Sequence, residues 1–177
     1  MLSDRRSGKI AVVAHCILNQ NSRVLGLAER SSAITEIVEF LIRNDMGIIQ
    51  IPCPELSHAG ILRKEQTRDQ YDNALFRQVC RKIAAEIVDQ IREYSKAGIK
   101  AKIIIGVDGS PSCGVNKTSK INPCKKMAES QSVKGFGILM EELYLELRKR
   151  KFSIPFYGIR YERLSEDLDA MERLLRD

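Results

Sequence analysis

The chain has 177 residues, 44% of them apolar, and carries 29 Lys and Arg against 23 Asp and Glu, a formal charge of +6. That is enough apolar chain for one α/β domain, read as 1–177, whose core needs no disulfide support. Five cysteines behind a polar start, Met1-Leu-Ser-Asp-Arg-Arg-Ser-Gly-Lys9, exclude a signal peptide and a disulfide framework, so a cytoplasmic protein without a membrane partner is expected.

The first strand is read at residues 9–15, from the apolar run Ile10-Ala-Val-Val-Ala14, and leads into a polar loop from Cys16 to Gly26. Ser31 or Ser32 then caps a helix whose Ile34, Ile37, Val38, Leu41 and Ile42 recur at helical spacing. A second strand, 47–51, runs into Pro52-Cys-Pro-Glu-Leu56, where two prolines hold the Cys53 thiol in a stiff segment. An irregular charged loop is expected at 57–68. A long helix follows at 69–97, with Leu75, Val79, Ile83, Ile87 and Ile91 on its buried stripe and Cys80 beside them as a small buried hydrophobe.

The central stretch is Ile103-Ile-Ile-Gly-Val-Asp-Gly-Ser-Pro-Ser-Cys-Gly114, a buried strand that stops in a loop punctuated by glycine and proline. Residues 115–133 read as irregular. A helix starts near Lys134-Gly-Phe-Gly137, where glycines let backbone N–H groups approach an anion or cofactor. A last strand, 154–159, leads to Arg160 and Tyr161, and a final helix begins at Ser165. Strands and helices alternate, so the fold class is a Rossmann-like parallel sheet of about four strands with helices on both faces.

Cys16, Cys53 and Cys113 each lie just past a predicted strand, where open α/β sheets bind ligands. Three converging thiols suit zinc or an iron–sulfur cluster, and a cluster on three protein thiolates leaves one iron open as a Lewis acid. A closed zinc site needs a fourth ligand, for which His15, His58 and Cys124 are candidates. Glu55 and Asp108 are the carboxylates nearest to the thiols in sequence. Glu55 is the preferred acid/base, the alternative being that it caps the next turn.

Arg23, with the lysines at 117, 120, 125 and 126, offers charge to an anionic group of a substrate, and the basic balance leaves nucleic acid open as a partner. The second basic run, Arg148-Lys-Arg-Lys151, suits a helix carboxyl terminus.

Cys16-Ile-Leu-Asn-Gln-Asn-Ser-Arg23, Cys53-Pro-Glu55 and Ser110-Pro-Ser-Cys-Gly114, followed by the glycine-containing helix start at 134–137, resemble the successive motifs of the thiouracil desulfidase family over residues 9 to 147. The resemblance implies a [4Fe-4S] cluster on Cys16, Cys53 and Cys113 and replacement of a thiocarbonyl sulfur by oxygen from water without net redox change. It also implies that Ser110 assists at the reacting centre. Asn19 stands where the family usually has glycine, and Val24-Leu25 and Leu56-Ser-His-Ala-Gly60 also depart from its pattern. The chain therefore reads as a divergent relative, with Arg23, Asn19 and Ser112 placed at a small thiolated substrate such as a base or nucleotide. Two other readings are a sulfur-trafficking protein in RNA thiolation, carrying a persulfide on Cys113 or Cys124, and a metal-free nucleotide binder using the helix start at 134–137. A homo-oligomer is compatible with all three.

Overall fold

A computed structural model of the chain describes residues 4–122 and 130–176. Cys124, Lys125 and Lys126 lie outside the described residues.

The chain runs β1 (Lys9–Ala14), α1 (His15–Leu18), a single 3-10 turn (Gln20–Ser22), α2 (Thr35–Arg43), β2 (Gly47–Ile51), α3 (Pro54–Ala59), α4 (Arg68–Tyr71), α5 (Ala74–Lys96) and β3 (Lys100–Val107). It continues through β4 (Lys117–Ile121), β5 (Ser130–Lys134), α6 (Ile138–Lys149), β6 (Phe156–Ile159) and α7 (Leu164–Arg176). Four strands form one parallel sheet in the order β2-β1-β3-β6, while β4 and β5 pair antiparallel as a separate hairpin. Residues 11–14 of β1 and 103–105 of β3 are wholly buried in unbroken runs. A strand reads that way only when both faces are covered, and α5 packs on α6 while α2 packs on α7.

The Rossmann-like α/β sheet expected from the sequence is therefore the observed fold. From β1 the chain moves outward to β2 and then crosses back to β3, so the order reverses between β1 and β3. In such sheets the crevice at that reversal, beyond the carboxyl ends of the strands, is where ligands bind.

Local departures have local causes. The loop expected from Cys16 opens with the short helix α1. Residues 57–59 belong to α3, which began at Pro54. The long helix breaks at Asp72 and Asn73, because the Asn73 side chain accepts from the Phe76 N–H at 3.0 Å and caps α5 there. Leu75, in the first turn of α5, is 68% exposed, as is Ile42 at 63%, so neither lies on its helix's buried stripe. No Ser31 or Ser32 side chain caps α2, which starts at Thr35. Residues 115–133, expected to be irregular, contain β4 and the start of β5.

The helix start at 134–137 is the largest correction. Helix α6 begins at Ile138, and its first amides are already spent: Ile138 donates to Pro111 O at 3.0 Å, and Leu139 and Met140 to Ser112 O at 3.0 and 3.2 Å. Gly137 donates to Gly114 O at 2.9 Å. The orphan donors of a helix terminus thus hold the 110–114 loop in place and are not free for an anion. Gly137 is there for close approach, since a Cβ on it would lie 2.4 Å from the Ser112 carbonyl carbon and 2.8 Å from the Cys113 nitrogen.

Gly137→Ala should therefore force the loop backbone away from α6. We expect it to cost about 1–3 kcal/mol, as overpacking does, and to lower the melting temperature by about 2–4 °C per kcal/mol. A thermal melt unchanged from wild type would show that the loop does not depend on this contact.

Candidate active site at the carboxyl edge of the sheet

Cys16 and Cys53 each stand two residues past the end of their strands, β1 and β2, and Cys113 sits in the loop that follows β3. All three line one cavity of about 370 Å³, together with Arg23, Glu55, Asp108, Ser110 and Ser112. Burial pushes the Cys16 thiol up to about 12, with Cys53 adding to the rise. Burial likewise pushes Cys113 well above the ordinary thiol range, with Cys16 and Cys53 adding to it, and raises Cys53, where Glu55 adds. Burial is the main cause at all three, because it disfavours the charged thiolate.

Local sequence explains each placement. Cys53 occupies the N-cap of α3, its sulfur accepting from the Leu56 N–H at 3.4 Å, with Pro54 inside the first turn. Cys113 is fixed through Ser110, whose Oγ accepts from the backbone N–H groups of Cys113 at 3.0 Å and Ser112 at 3.3 Å. Cys16 is held from behind by Gln20, which is 1% exposed and donates to Cys16 O at 2.6 Å and to Tyr161 Oη at 3.0 Å.

The two carboxylates have separate tasks. Glu55 is buried among the thiols, where Oε1 accepts from Ser112 Oγ at 2.6 Å and Oε2 faces Arg63 Nε at 3.5 Å. It caps no turn; the cap of α3 is the Cys53 sulfur. Arg63, itself buried, also donates to Ser22 O at 2.8 Å and Gly60 O at 3.2 Å, so the carboxylate is held by a side chain that is fixed in turn. Asp108 is instead consumed by structure: it accepts from the N–H groups of Val115 at 3.1 Å and Asn116 at 2.8 Å and from Asn116 Nδ2 at 3.0 Å. Gly158 leaves room for it, since a Cβ there would fall 2.1 Å from Asp108 Oδ1.

Arg23 lies against the cavity with its guanidinium 4.7 Å over the Tyr161 ring, and its Nη1 is buried without a partner. Asn19 is turned elsewhere. Its Oδ1 accepts from Asn21 N and Nδ2, both at 3.1 Å, capping the 3-10 turn rather than lining the cavity. Cys80, wholly buried in α5, is core as expected. Lys120 lies 3.9 Å from Asp69, Arg150 pairs with Glu146 and Asp89, and Arg148 and Lys149 occupy the last turn of α6.

Arg63, Tyr161 and the hairpin serines escape a reading of the sequence as parts of the cavity, as does Gln20 as the brace behind Cys16; His15, a candidate ligand in the sequence, does line it. Tyr161 has a usable signal, standing two residues past β6 as Cys16 stands past β1. Gln20 and Arg63 have none, because their partners are set by the fold and include backbone carbonyls. Burial lowers the pKa of His15, partly offset by a hydrogen bond with Gln50.

Among the described residues no three His, Cys, Asp or Glu side chains are grouped to hold one metal ion. A single zinc ion would need its donors drawn within about 4 Å of one another, a grouping not found among the described residues. A multinuclear cluster would bring its own sulfides, and its positive irons would favour the thiolate forms that burial disfavours at all three cysteines. The donor set fits that larger group.

The "Uncharacterized protein MJ0003" of Methanocaldococcus jannaschii is 36% identical over 167 residues, 94% of each chain. The structure of a "[4Fe-4S]-dependent thiouracil desulfidase TudS" superposes with a TM-score of 0.55 at 16% identity, covering 93% of this chain and 99% of that one, a likeness of fold. Residues 8–160 match the family model described as "Putative 2-thiouracil desulfurase". With most of the chain inside that match, and the fold and the motif cysteines where they stand, the protein belongs to this family.

Proposed function

We propose that the protein is an iron–sulfur-dependent desulfidase that exchanges the thiocarbonyl sulfur of a small thiolated base or nucleotide for oxygen from water. The observation that carries this reading is the meeting of Cys16, Cys53 and Cys113 with a buried, doubly held carboxylate, Glu55, in one cavity. Membership of the desulfurase family supports the same chemistry, and a [4Fe-4S]-dependent thiouracil desulfidase shares the fold.

Cys16, Cys53 and Cys113 would hold the cluster. When bound, it supplies a Lewis-acidic iron that polarises the carbon–sulfur bond. Glu55 takes the proton of the attacking water; a carboxylate offers about four acceptor sites, and Ser112 and Arg63 leave some free. Arg63 keeps the carboxylate oriented toward the thiols. Ser110 Oγ accepts two backbone N–H groups and lies 3.4 Å from Ser112 Oγ, so its own hydrogen can turn to that hydroxyl or into the cavity. Arg23 holds an electron-rich group of the substrate. The exchange, C=S plus H2O giving C=O plus HS⁻ and H⁺, leaves no electron over. Delivery of sulfur from Cys113 to a protein partner is disfavoured, because that thiol is only 6% exposed.

Purified without oxygen, the protein should be brown and contain about four irons and four acid-labile sulfides, as a cubane requires. Replacing Cys16, Cys53 or Cys113 by Ala should abolish most of that iron, whereas Cys80→Ala should keep it. A colourless protein that takes up one zinc per chain would end this reading.

Anaerobic incubation of the loaded protein with thiouracil and thiolated nucleotides should release hydrosulfide from at least one of them. Glu55→Gln keeps an acceptor for Ser112 but removes the base. It should lower kcat about 10²- to 10⁴-fold with iron content retained. Asp108→Asn should act differently, weakening the 108–117 loop and lowering the melting temperature. A Glu55→Gln enzyme with wild-type kcat would remove the carboxylate from the reaction.

A further inference from the structure

Among the described residues four buried side-chain polar atoms have no hydrogen-bond partner: His15 Nδ1, Arg23 Nη1, Tyr71 Oη and Ser119 Oγ. Three of those residues, His15, Arg23 and Ser119, line the thiol cavity. A buried polar atom left unpaired is costly, so such atoms gathered on one cavity call for a polar occupant that completes them.

Ser119 is the one that neither motif nor mechanism has used. It lies on β4, in register with Ser132 on β5, and Ile121 is paired with Ser130. Successive side chains on a strand alternate between faces, so Ser119, Ser130 and Ser132 share one face of the hairpin. All three line the cavity. The hairpin is anchored to the thiol loop, because Thr118, on the opposite face, is buried and donates to Ser110 O at 3.0 Å. Its serine face is therefore held at a set place beside the reacting centre. A serine hydroxyl both donates and accepts, as does an amide edge made of a carbonyl and an N–H.

Resting on the desulfidase reading, we propose that the β4–β5 hairpin is the specificity wall of the site, with Ser119 and Ser132 hydrogen-bonding the C(=O)–N–H edge of a thiolated pyrimidine ring. The site thereby selects ring thiocarbonyls with an amide edge over thio-compounds that lack one. Ser119 recognises the ring and takes no part in breaking the carbon–sulfur bond.

Uracil carries the same edge but no sulfur, so its binding reports on the hairpin independently of the iron chemistry. Calorimetry with the anaerobically loaded protein should show Ser119→Ala binding uracil about threefold to tenfold more weakly than wild type, the loss of one hydrogen bond. Ser119→Thr, which keeps the hydroxyl, should restore most of that affinity. An analogue methylated on both ring nitrogens should bind poorly and equally to wild type and Ser119→Ala. In turnover of thiouracil the same loss should fall on KM and spare kcat. If Ser119→Ala does not fold, Ser132→Ala is read the same way. Unchanged uracil affinity in the Ala variant, or a methylated analogue bound as tightly as uracil, overturns the proposal. Absence of uracil binding from a protein that desulfurises thiouracil also overturns it and leaves the desulfidase reading intact. Ser119-dependent uracil binding without hydrosulfide release does the reverse.

Discussion

The site depends on one backbone junction, the donation of the first α6 amides to the carbonyls of Pro111 and Ser112. A helix terminus has N–H groups that must find partners, and a reactive loop has carbonyls that would otherwise face a cavity. Joining the two satisfies both and sets the position of the 110–114 loop to within hydrogen-bond tolerance. Ser110 then orients the Cys113 amide from inside the loop, and Ser112 projects its hydroxyl onto Glu55. The third thiol and the carboxylate are thus located by the same junction.

The remaining thiols are located by the sheet. Parallel strands end side by side, and the reversal of order between β1 and β3 opens a crevice where residues just past their ends face each other. Cys16 and Cys53 arrive there on helix starts, α1 and α3, and Cys113 on a loop. Distance along the chain is irrelevant to such a site, which explains why no local cysteine pair with metal-ligand spacing occurs. Gln20 joins the Cys16 carbonyl to Tyr161, so the fourth strand of the sheet, β6, also braces the cavity.

What can be read in the sequence follows the same division. Strands announce themselves through short apolar, β-branched runs, so 10–14, 47–51 and 103–107 are visible, and with them the three cysteines beyond their ends. The hairpin is not, because Lys117-Thr-Ser-Lys-Ile121 and Ser130-Gln-Ser-Val-Lys134 lack an apolar alternation. The cavity-lining Ser119, Ser130 and Ser132 share one face, and a period of two written in serine looks like a loop. The glycines near 137 give a signal with a misleading cause. Their spacing suggests an anion site, whereas the helix amides there face carbonyls of the chain itself. Asp108 and Glu55 are equivalent in sequence and are told apart only by their partners, four amide donors around one and a hydroxyl with a guanidinium beside the other.

Away from the cavity, buried charge is well served. Asp167, wholly buried in α7, accepts from Arg160 N at 2.6 Å and Tyr157 Oη at 3.0 Å, and Glu142 pairs with Arg77 at 2.8 Å. Within the cavity the balance is reversed: all three thiols are raised by burial, and polar atoms on His15, Arg23 and Ser119 go without partners. Among the described residues Tyr71 Oη is the one such atom away from the cavity; three gathered on one cavity gain nothing from being unpaired unless something else completes them. On the proposed function and the inference above, positive charge would answer the thiols and a hydrogen-bonding ring the remaining polar atoms, with Glu55 set between the two.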